Sequence, residues 1–105
     1  MLGVNTAITG KIKVYSNTST GITTNISCNA STNGRTILVL FSRNQADGDA
    51  TTSAIYMLRC CYDGNYLTTV EVAKSGASVF PTFSVNSNGY ITADVYGSYM
   101  FIMNK

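Results

Sequence analysis

Residues 53–74, SAIYMLRCCYDGNYLTTVEVAK, constrain the fold of this chain more than any other stretch. They predict two long strands folded back on each other about Asp63-Gly64-Asn65, because residues that tolerate positive φ separate runs rich in Tyr, Val, Ile and Thr. In the first strand, both alternating sets of side chains are mostly apolar. Such a strand has to be covered on both faces. The hairpin therefore needs a neighbouring sheet and a packing partner on each side.

Short strands alternate with turn signals through the rest of the chain. The pair Asn33-Gly34 predicts a tight hairpin, and Asn86-Ser87-Asn88-Gly89 predicts another. Pro81 cannot donate a ladder hydrogen bond, so its strand has to lie at a sheet edge or contain a bulge. About eight strands at intervals of about 8–12 residues are typical of a sandwich or barrel. We expect an all-β fold, an antiparallel β-sandwich, in a single domain.

Three predicted strands carry apolar side chains on both faces, at residues 37–41, 55–62 and 99–103. In a two-layer sandwich each strand has one face toward the core and one toward water. The chain therefore has more apolar strand surface than one sandwich can bury. A symmetric homo-oligomer would cover the excess, and burying about 800 Å² per subunit is enough for a specific interface.

Composition narrows the classes of partner. Asn, Ser and Thr supply 10, 11 and 14 of the 105 residues, and charged residues only 11%. The net charge of +2 comes from scattered basic residues, which argues against nucleic-acid binding. No apolar stretch approaches the roughly 20 residues of a membrane span. Residues 1–4 do not resemble a signal peptide, and their abrupt start is typical of the cut edge of a longer protein, so we expect residues 1–105 to be its C-terminal part.

The residues needed for catalysis are scarce. The sequence contains no His, which removes the commonest general base and metal ligand. A glycosidase needs two carboxylates that flank a sugar, and the acidic residues are few: Asp47, Asp49, Asp63, Glu71 and Asp94. We expect no catalytic residues and no enzymatic activity, although a hydrolase with a site shared between subunits stays an alternative.

Metal and cofactor sites are not predicted either. The pair Asp47-x-Asp49 lies in a polar loop and could hold Ca²⁺, but a solvated loop is the favoured interpretation because no third acid lies nearby and no EF-hand spacing is present. Cys60 and Cys61 point to opposite faces of a strand, so they cannot share a metal ion. With Cys28 they are expected to be buried free thiols of a protein made in a reducing cytoplasm.

Ligand-binding candidates cluster at two loops. Tyr62 and Tyr66 bracket the turn that contains Asn65, and together they place aromatic rings beside amide and carboxylate groups. Tyrosine rings suit stacking on sugars or a partly hydrated subunit interface. The alternative is that Tyr flanks the hairpin only because it favours strands. The predicted ligand-binding set comprises residues of both loops, namely Arg43, Asp47, Asp49, Tyr62, Asn65 and Tyr66.

Residues 47–105 resemble the C-terminal modules of bacteriophage tail fibres and tailspikes. The resemblance lies in DGDATTSAIYMLRCCYDGNYLTTVEVAKSG and FSVNSNGYITADVYGSYMFIMNK, which end in an aromatic-rich strand. Such modules are similar to the jelly-roll knobs of viral fibres, are usually trimeric, and contact the host surface. The resemblance implies a jelly-roll-like sandwich, a homotrimer, a place at the tip of a virion fibre or spike, and synthesis in the host cytoplasm.

Two functions follow from this resemblance. The first is trimerisation combined with attachment to a host cell-surface receptor, a glycan or a protein. The alternative is a purely structural role, in which the domain caps and folds the three chains of a spike whose enzymatic part lies upstream. Neither function requires a cofactor.

Overall fold

The computed structural model describes residues 11–29, 32–43, 52–61, 66–76 and 79–104. These residues form eight β-strands and contain no α-helix, so none of them could form a membrane-spanning helix. In chain order the strands are β1 Ile12–Asn17, β2 Ile22–Ser27, β3 Thr36–Ser42, β4 Ser53–Cys61, β5 Tyr66–Ser75, β6 Phe83–Val85, β7 Tyr90–Ala93 and β8 Gly97–Met103.

The strands form two antiparallel sheets, so the predicted β-sandwich class is confirmed. The larger sheet has five strands in the order β1-β8-β3-β4-β5, and the smaller has three in the order β2-β7-β6. The last strand lies between β1 and β3, and β7 pairs with β2, which is the nested pairing of a jelly roll. The hairpin of β4 and β5 departs from that scheme, because it extends the larger sheet.

Aromatic rings fill the space between the sheets. Phe83, from the smaller sheet, lies 5.2 Å from the ring of Tyr56 and 6.2 Å from that of Tyr99 in edge-on geometry. Phe101 stacks on Tyr99 at 6.1 Å. The larger sheet also contributes the fully buried aliphatic side chains of Ile37, Val39 and Leu58. The core therefore depends on alternate residues of β3, β4 and β8, as the two-residue strand period requires.

The hairpin signals of the sequence have different outcomes. The β4–β5 and β6–β7 hairpins form as predicted. At the second one, Asn86 Oδ1 accepts hydrogen bonds from the backbone amides of Asn88 and Tyr90. The hairpin predicted at Asn33-Gly34 is wrong, because β2 and β3 belong to different sheets. Gly34 still adopts positive φ, 84°, so the local turn is present while the strands it joins separate.

Three further details concern Pro81, β1 and β8. Pro81 precedes β6, an edge strand of the smaller sheet, as its missing amide requires. In β1 the side chain that packs on the core is Tyr15, whose ring meets Phe101 edge-on, while Val14 faces outward. The last strand begins at Gly97, two residues before the predicted range 99–103.

Candidate functional site

The outward side of the five-stranded sheet contains three aligned rows of side chains, hereafter the outer face, and a border row of Thr36, Arg59 and Thr68 beside the first of them. Directly paired residues of antiparallel strands point to the same side, so the strand register defines each row. The first apolar row contains Ile12, Ile102, Leu38, Met57 and Val70. The second apolar row contains Val14, Met100, Leu40, Ile55 and Ala73. The serine row contains Ser16, Ser98, Ser42, Ser53 and Ser75.

Both apolar rows are open to solvent in a single chain. Met57 is 41% exposed, Leu38 38% and Val14 64%. The outward side of the smaller sheet is different, since it carries Thr23 and Asn25 on β2 and the hydrogen-bonded pair Ser84 and Thr92 on β6 and β7. The outward side of the smaller sheet is therefore polar, whereas the outer face of the larger sheet is mainly apolar. Large exposed apolar patches of this kind mark interaction sites.

The serine row forms one border of the outer face. Its members lie about 4.8 Å apart across the strands, the spacing of neighbours in a sheet. The hydroxyl oxygens of Ser16 and Ser98 are 3.4 Å apart. A serine hydroxyl both donates and accepts, so a row of them can bond to another hydroxyl row without a charged partner.

Two shallow hollows lie where the second apolar row meets the serine row, one on each side of Leu40. The first hollow, about 270 Å³, is lined by side chains that include Val14, Ser42, Ser98 and Met100. The second, about 280 Å³, lies toward β5 and includes Ser53, Ile55, Ala73 and Lys74 in its lining. The hollows form because short serine side chains lie beside longer apolar side chains. Leu40 therefore projects between two recesses.

The structure describes the predicted ligand-binding residues only in part. Asp47, Asp49, Tyr62 and Asn65 lie outside the described residues. Tyr66 pairs with Cys61 at the first position of β5. The segment 44–51 joins the end of β3 to the start of β4, and the segment 62–65 joins the end of β4 to the start of β5. The segments 44–51 and 62–65 are therefore attached to opposite ends of β4, which are about 27 Å apart in a nine-residue strand.

Arg43 is a buried structural cation, 7% exposed. Its guanidinium lies 4.1 Å from the centre of the Tyr96 ring, and its Nη1 donates to the Val79 carbonyl oxygen at 3.4 Å. Its backbone amide donates to the Thr52 carbonyl oxygen at 3.0 Å, across the two ends of the segment 44–51. These contacts suit a residue that fixes the base of a loop.

Both acidic residues among the described residues have structural partners. Asp94 accepts a hydrogen bond from the Thr82 amide at 2.7 Å, and Glu71 pairs with Lys74 at 3.4 Å. Burial and the neighbouring Cys60 thiol raise the pKa of Cys28 to about 12, so this thiol stays protonated at neutral pH. Within the described ranges, no three acidic or thiol groups are placed to share a metal ion.

Sequence reasoning missed the serine row and the two hollows. Each strand by itself contains the pattern, because each serine stands two positions from an apolar residue of the same face. Leu40-x-Ser42 and Ser53-x-Ile55 are examples. Alignment of five such pairs depends on strand order and register, which the order of the strands along the chain does not determine. The excess of apolar strand surface was predicted, and the outer face is where it lies.

Comparisons with known proteins give one similar fold. No protein-family model matches the chain, and no curated protein matches it. The structure is similar to that of the tailspike protein of Acinetobacter phage vB_ApiP_P1, with a TM-score of 0.48 and 20% sequence identity over 89% of this chain and 21% of that one. The chain therefore spans about a fifth of the length of that tailspike.

Proposed function

We propose that this chain is a non-enzymatic module of a bacteriophage tail fibre or tailspike, located in the virion, that assembles as a homotrimer and attaches to a host-surface glycan. The observation that carries the assembly part is the outer face, with two adjacent apolar rows of five residues each. The phage context is supported by the resemblance of residues 47–105 to fibre and tailspike modules. The trimer is the oligomer that this resemblance implies.

The size of the outer face fits one specific interface. Five strands and three rows cover about 24 by 20 Å, roughly 480 Å² in projection. The accessible area of a surface with projecting side chains is larger than its projection. It therefore approaches the roughly 800 Å² that each partner contributes to a standard interface. In a trimer each chain contacts two neighbours, so two further copies of the chain share the apolar rows and no partner of another kind is needed.

Sedimentation velocity on the chain over a wide concentration range tests the assembly. We expect a concentration-dependent oligomer, and Leu38→Glu should weaken its association by about a hundredfold or more, because a charge buried without a partner costs several kcal/mol. Val79→Glu is the matched control, since Val79 is 60% exposed and lies outside the strands. A wild-type chain that stays monomeric at the highest concentration would refute the assembly.

For the attachment part, we assign glycan contacts to Tyr62, Asn65 and Tyr66 at one end of β4 and to Asp47 and Asp49 at the other, so a glycan that contacts both sets has to span about 27 Å. Arg43 is assigned a positioning role, because its donors engage Val79 and its guanidinium lies over Tyr96. Absence of His from the sequence supports a binding role over a hydrolytic one.

A glycan array tests the attachment. We expect a signal with the wild-type chain that Tyr62→Ala and Tyr66→Ala abolish, whereas Tyr90→Ala, at the exposed start of β7, leaves it intact. A silent array together with an intact oligomer would instead favour the structural alternative, a cap that registers the chains of a longer spike. Removal of residues 1–105 from the parent protein should then prevent its folding.

A further inference from the structure

We propose that the outer face binds a second copy of this chain through a knob-and-hollow contact, in which Leu40 of one copy enters the hollow beside Ser98 of the other. This inference rests on the proposed self-assembly and specifies which residues make the contact. It commits to a second copy as the partner of this surface. Four properties of the outer face support that choice.

The first property is shape. Leu40 is 37% exposed and stands between the two hollows, so the same surface offers a projecting side chain and recesses to receive one. The first hollow, about 270 Å³, could hold several water molecules, each of which takes about 30 Å³ in the liquid. An apolar side chain that displaces weakly bound water from apolar walls gains affinity.

The second property is charge. The two apolar rows and the serine row contain no ionisable side chain. No charge therefore has to be desolvated along these rows. Arg59 lies in the next row of the same side, paired with Thr36 and Thr68, at the border opposite the serine row. Lys74 lines the second hollow, whereas the first hollow has no charged residue in its lining. We therefore assign Leu40 of the partner to the first hollow.

The third property is the chemistry of the border. Hydroxyl groups donate and accept equally, so the serine row of one copy can bond to that of another. The fourth property is that none of the three rows contributes an aromatic side chain. A glycan site would favour such rings for stacking. The apolar rows and their hydroxyl border can therefore contact another copy of the chain. In the proposed trimer the contact is heterologous, because Leu40 of each copy enters the first hollow of the next copy around the three-fold axis.

Three variants test the contact by sedimentation velocity. Leu40→Ala removes the knob and should weaken association by about tenfold, the loss of roughly 1.4 kcal/mol of contact energy. Ser98→Leu fills the first hollow, and we expect a similar weakening although the variant is more hydrophobic. Ser84→Leu makes the same exchange on the outward side of the smaller sheet and should leave the dissociation constant unchanged.

The double variant Leu40→Ala with Ser98→Leu tests the pairing itself. A smaller knob fits a filled hollow, so the double variant should associate more tightly than the two single effects added together predict. Circular dichroism spectra and melting temperatures of all variants identify any that fail to fold. Ser42→Leu, which fills the same hollow from β3, serves as a second variant if Ser98→Leu fails to fold.

The outcomes separate this inference from the proposed function. If Ser98→Leu associates as tightly as the wild type or more tightly, the outer face acts only as a nonspecific apolar surface, and the knob-and-hollow contact is refuted while self-assembly stands. If the two single effects add without compensation, the pairing of Leu40 with this hollow is refuted. If the wild-type chain is monomeric, both proposals fail.

Discussion

At the residue scale, two buried tyrosines of the larger sheet have opposite hydrogen-bonding situations. The Tyr99 hydroxyl donates to the Val95 carbonyl oxygen, and the phenol is 1% exposed. The Tyr56 hydroxyl is buried without a hydrogen-bond partner among the described residues. A buried hydrogen bond contributes about 1 kcal/mol, whereas a buried polar group without a partner lowers stability.

Tyr99→Phe and Tyr56→Phe should therefore have different effects on the free energy of unfolding. We expect Tyr99→Phe to lower the free energy of unfolding by about 1 kcal/mol, and Tyr56→Phe to leave it unchanged or raise it by up to about 1 kcal/mol. Urea unfolding followed by circular dichroism measures both. Equal losses in the two variants would contradict the hydrogen-bond assignments.

Cys28 makes stability depend on alkaline pH. Burial, together with the Cys60 thiol, raises its pKa from 9.0 to about 12. Above pH 9.0 the unfolded chain loses this proton while the folded chain keeps it, so the unfolded state binds fewer protons and stability falls as pH rises toward 12. Burial also raises the pKa of Tyr99, which adds to the same alkaline loss.

Cys28→Ala should reduce this alkaline dependence. One proton of difference corresponds to at most about 1.4 kcal/mol per pH unit, so the variant's free energy of unfolding should fall less steeply above pH 9.0 by up to that amount. Urea unfolding at a series of pH values measures the slope. The same slope in the variant and the wild type would show that Cys28 does not titrate as its burial indicates.

At the element scale, β8 depends on a glycine at its first position. Gly97 has φ of 153°, and a Cβ there would lie 2.6 Å from the Ser42 carbonyl oxygen and 2.8 Å from a carbon of the Phe41 ring. Both distances are shorter than any van der Waals contact allows. Since β8 lies between β1 and β3, a displacement at this end affects two strand pairs of the larger sheet.

Gly97→Ala should lower the free energy of unfolding by about 2 kcal/mol or more, because a backbone clash adds to the strain of the conformation. Gly89→Ala is the matched control. Gly89 also has positive φ, 84°, but an added Cβ would meet no atom within 4 Å. We expect it to cost about 1 kcal/mol, from conformation alone. Chemical denaturation of the two variants compares them, and a smaller loss for Gly97→Ala would contradict the packing at β8.

Sequence patterns predicted where strands form better than they predicted which strands pair. Side-chain patterns predicted β3, β4 and β8 and the apolar character of both faces of these strands. Asn33-Gly34 misled because a turn signal is local, and it does not state whether the flanking strands pair or separate into two sheets.

At the scale of the whole molecule, the outward sides of the two sheets differ in polarity. The smaller sheet presents hydroxyl and amide groups to solvent, and the larger sheet presents two apolar rows. Sequence reasoning predicted an excess of apolar surface, but the hollows beside Leu40 depend on five strands in register. The proposed ligand-binding loops could be named from the sequence, while Arg43 proved to be buried at the base of one of them.

The measurement that tests the covered outer face most directly is methionine-methyl NMR with a soluble paramagnetic probe. Met57 and Met100 lie in the two apolar rows, and Met103, 8% exposed, is an internal reference in the core. We predict that the Met57 and Met100 methyl signals are protected at high protein concentration and broaden on dilution, while the Met103 signal changes little. Probe broadening of Met57 and Met100 that is equally strong at every concentration would contradict the account.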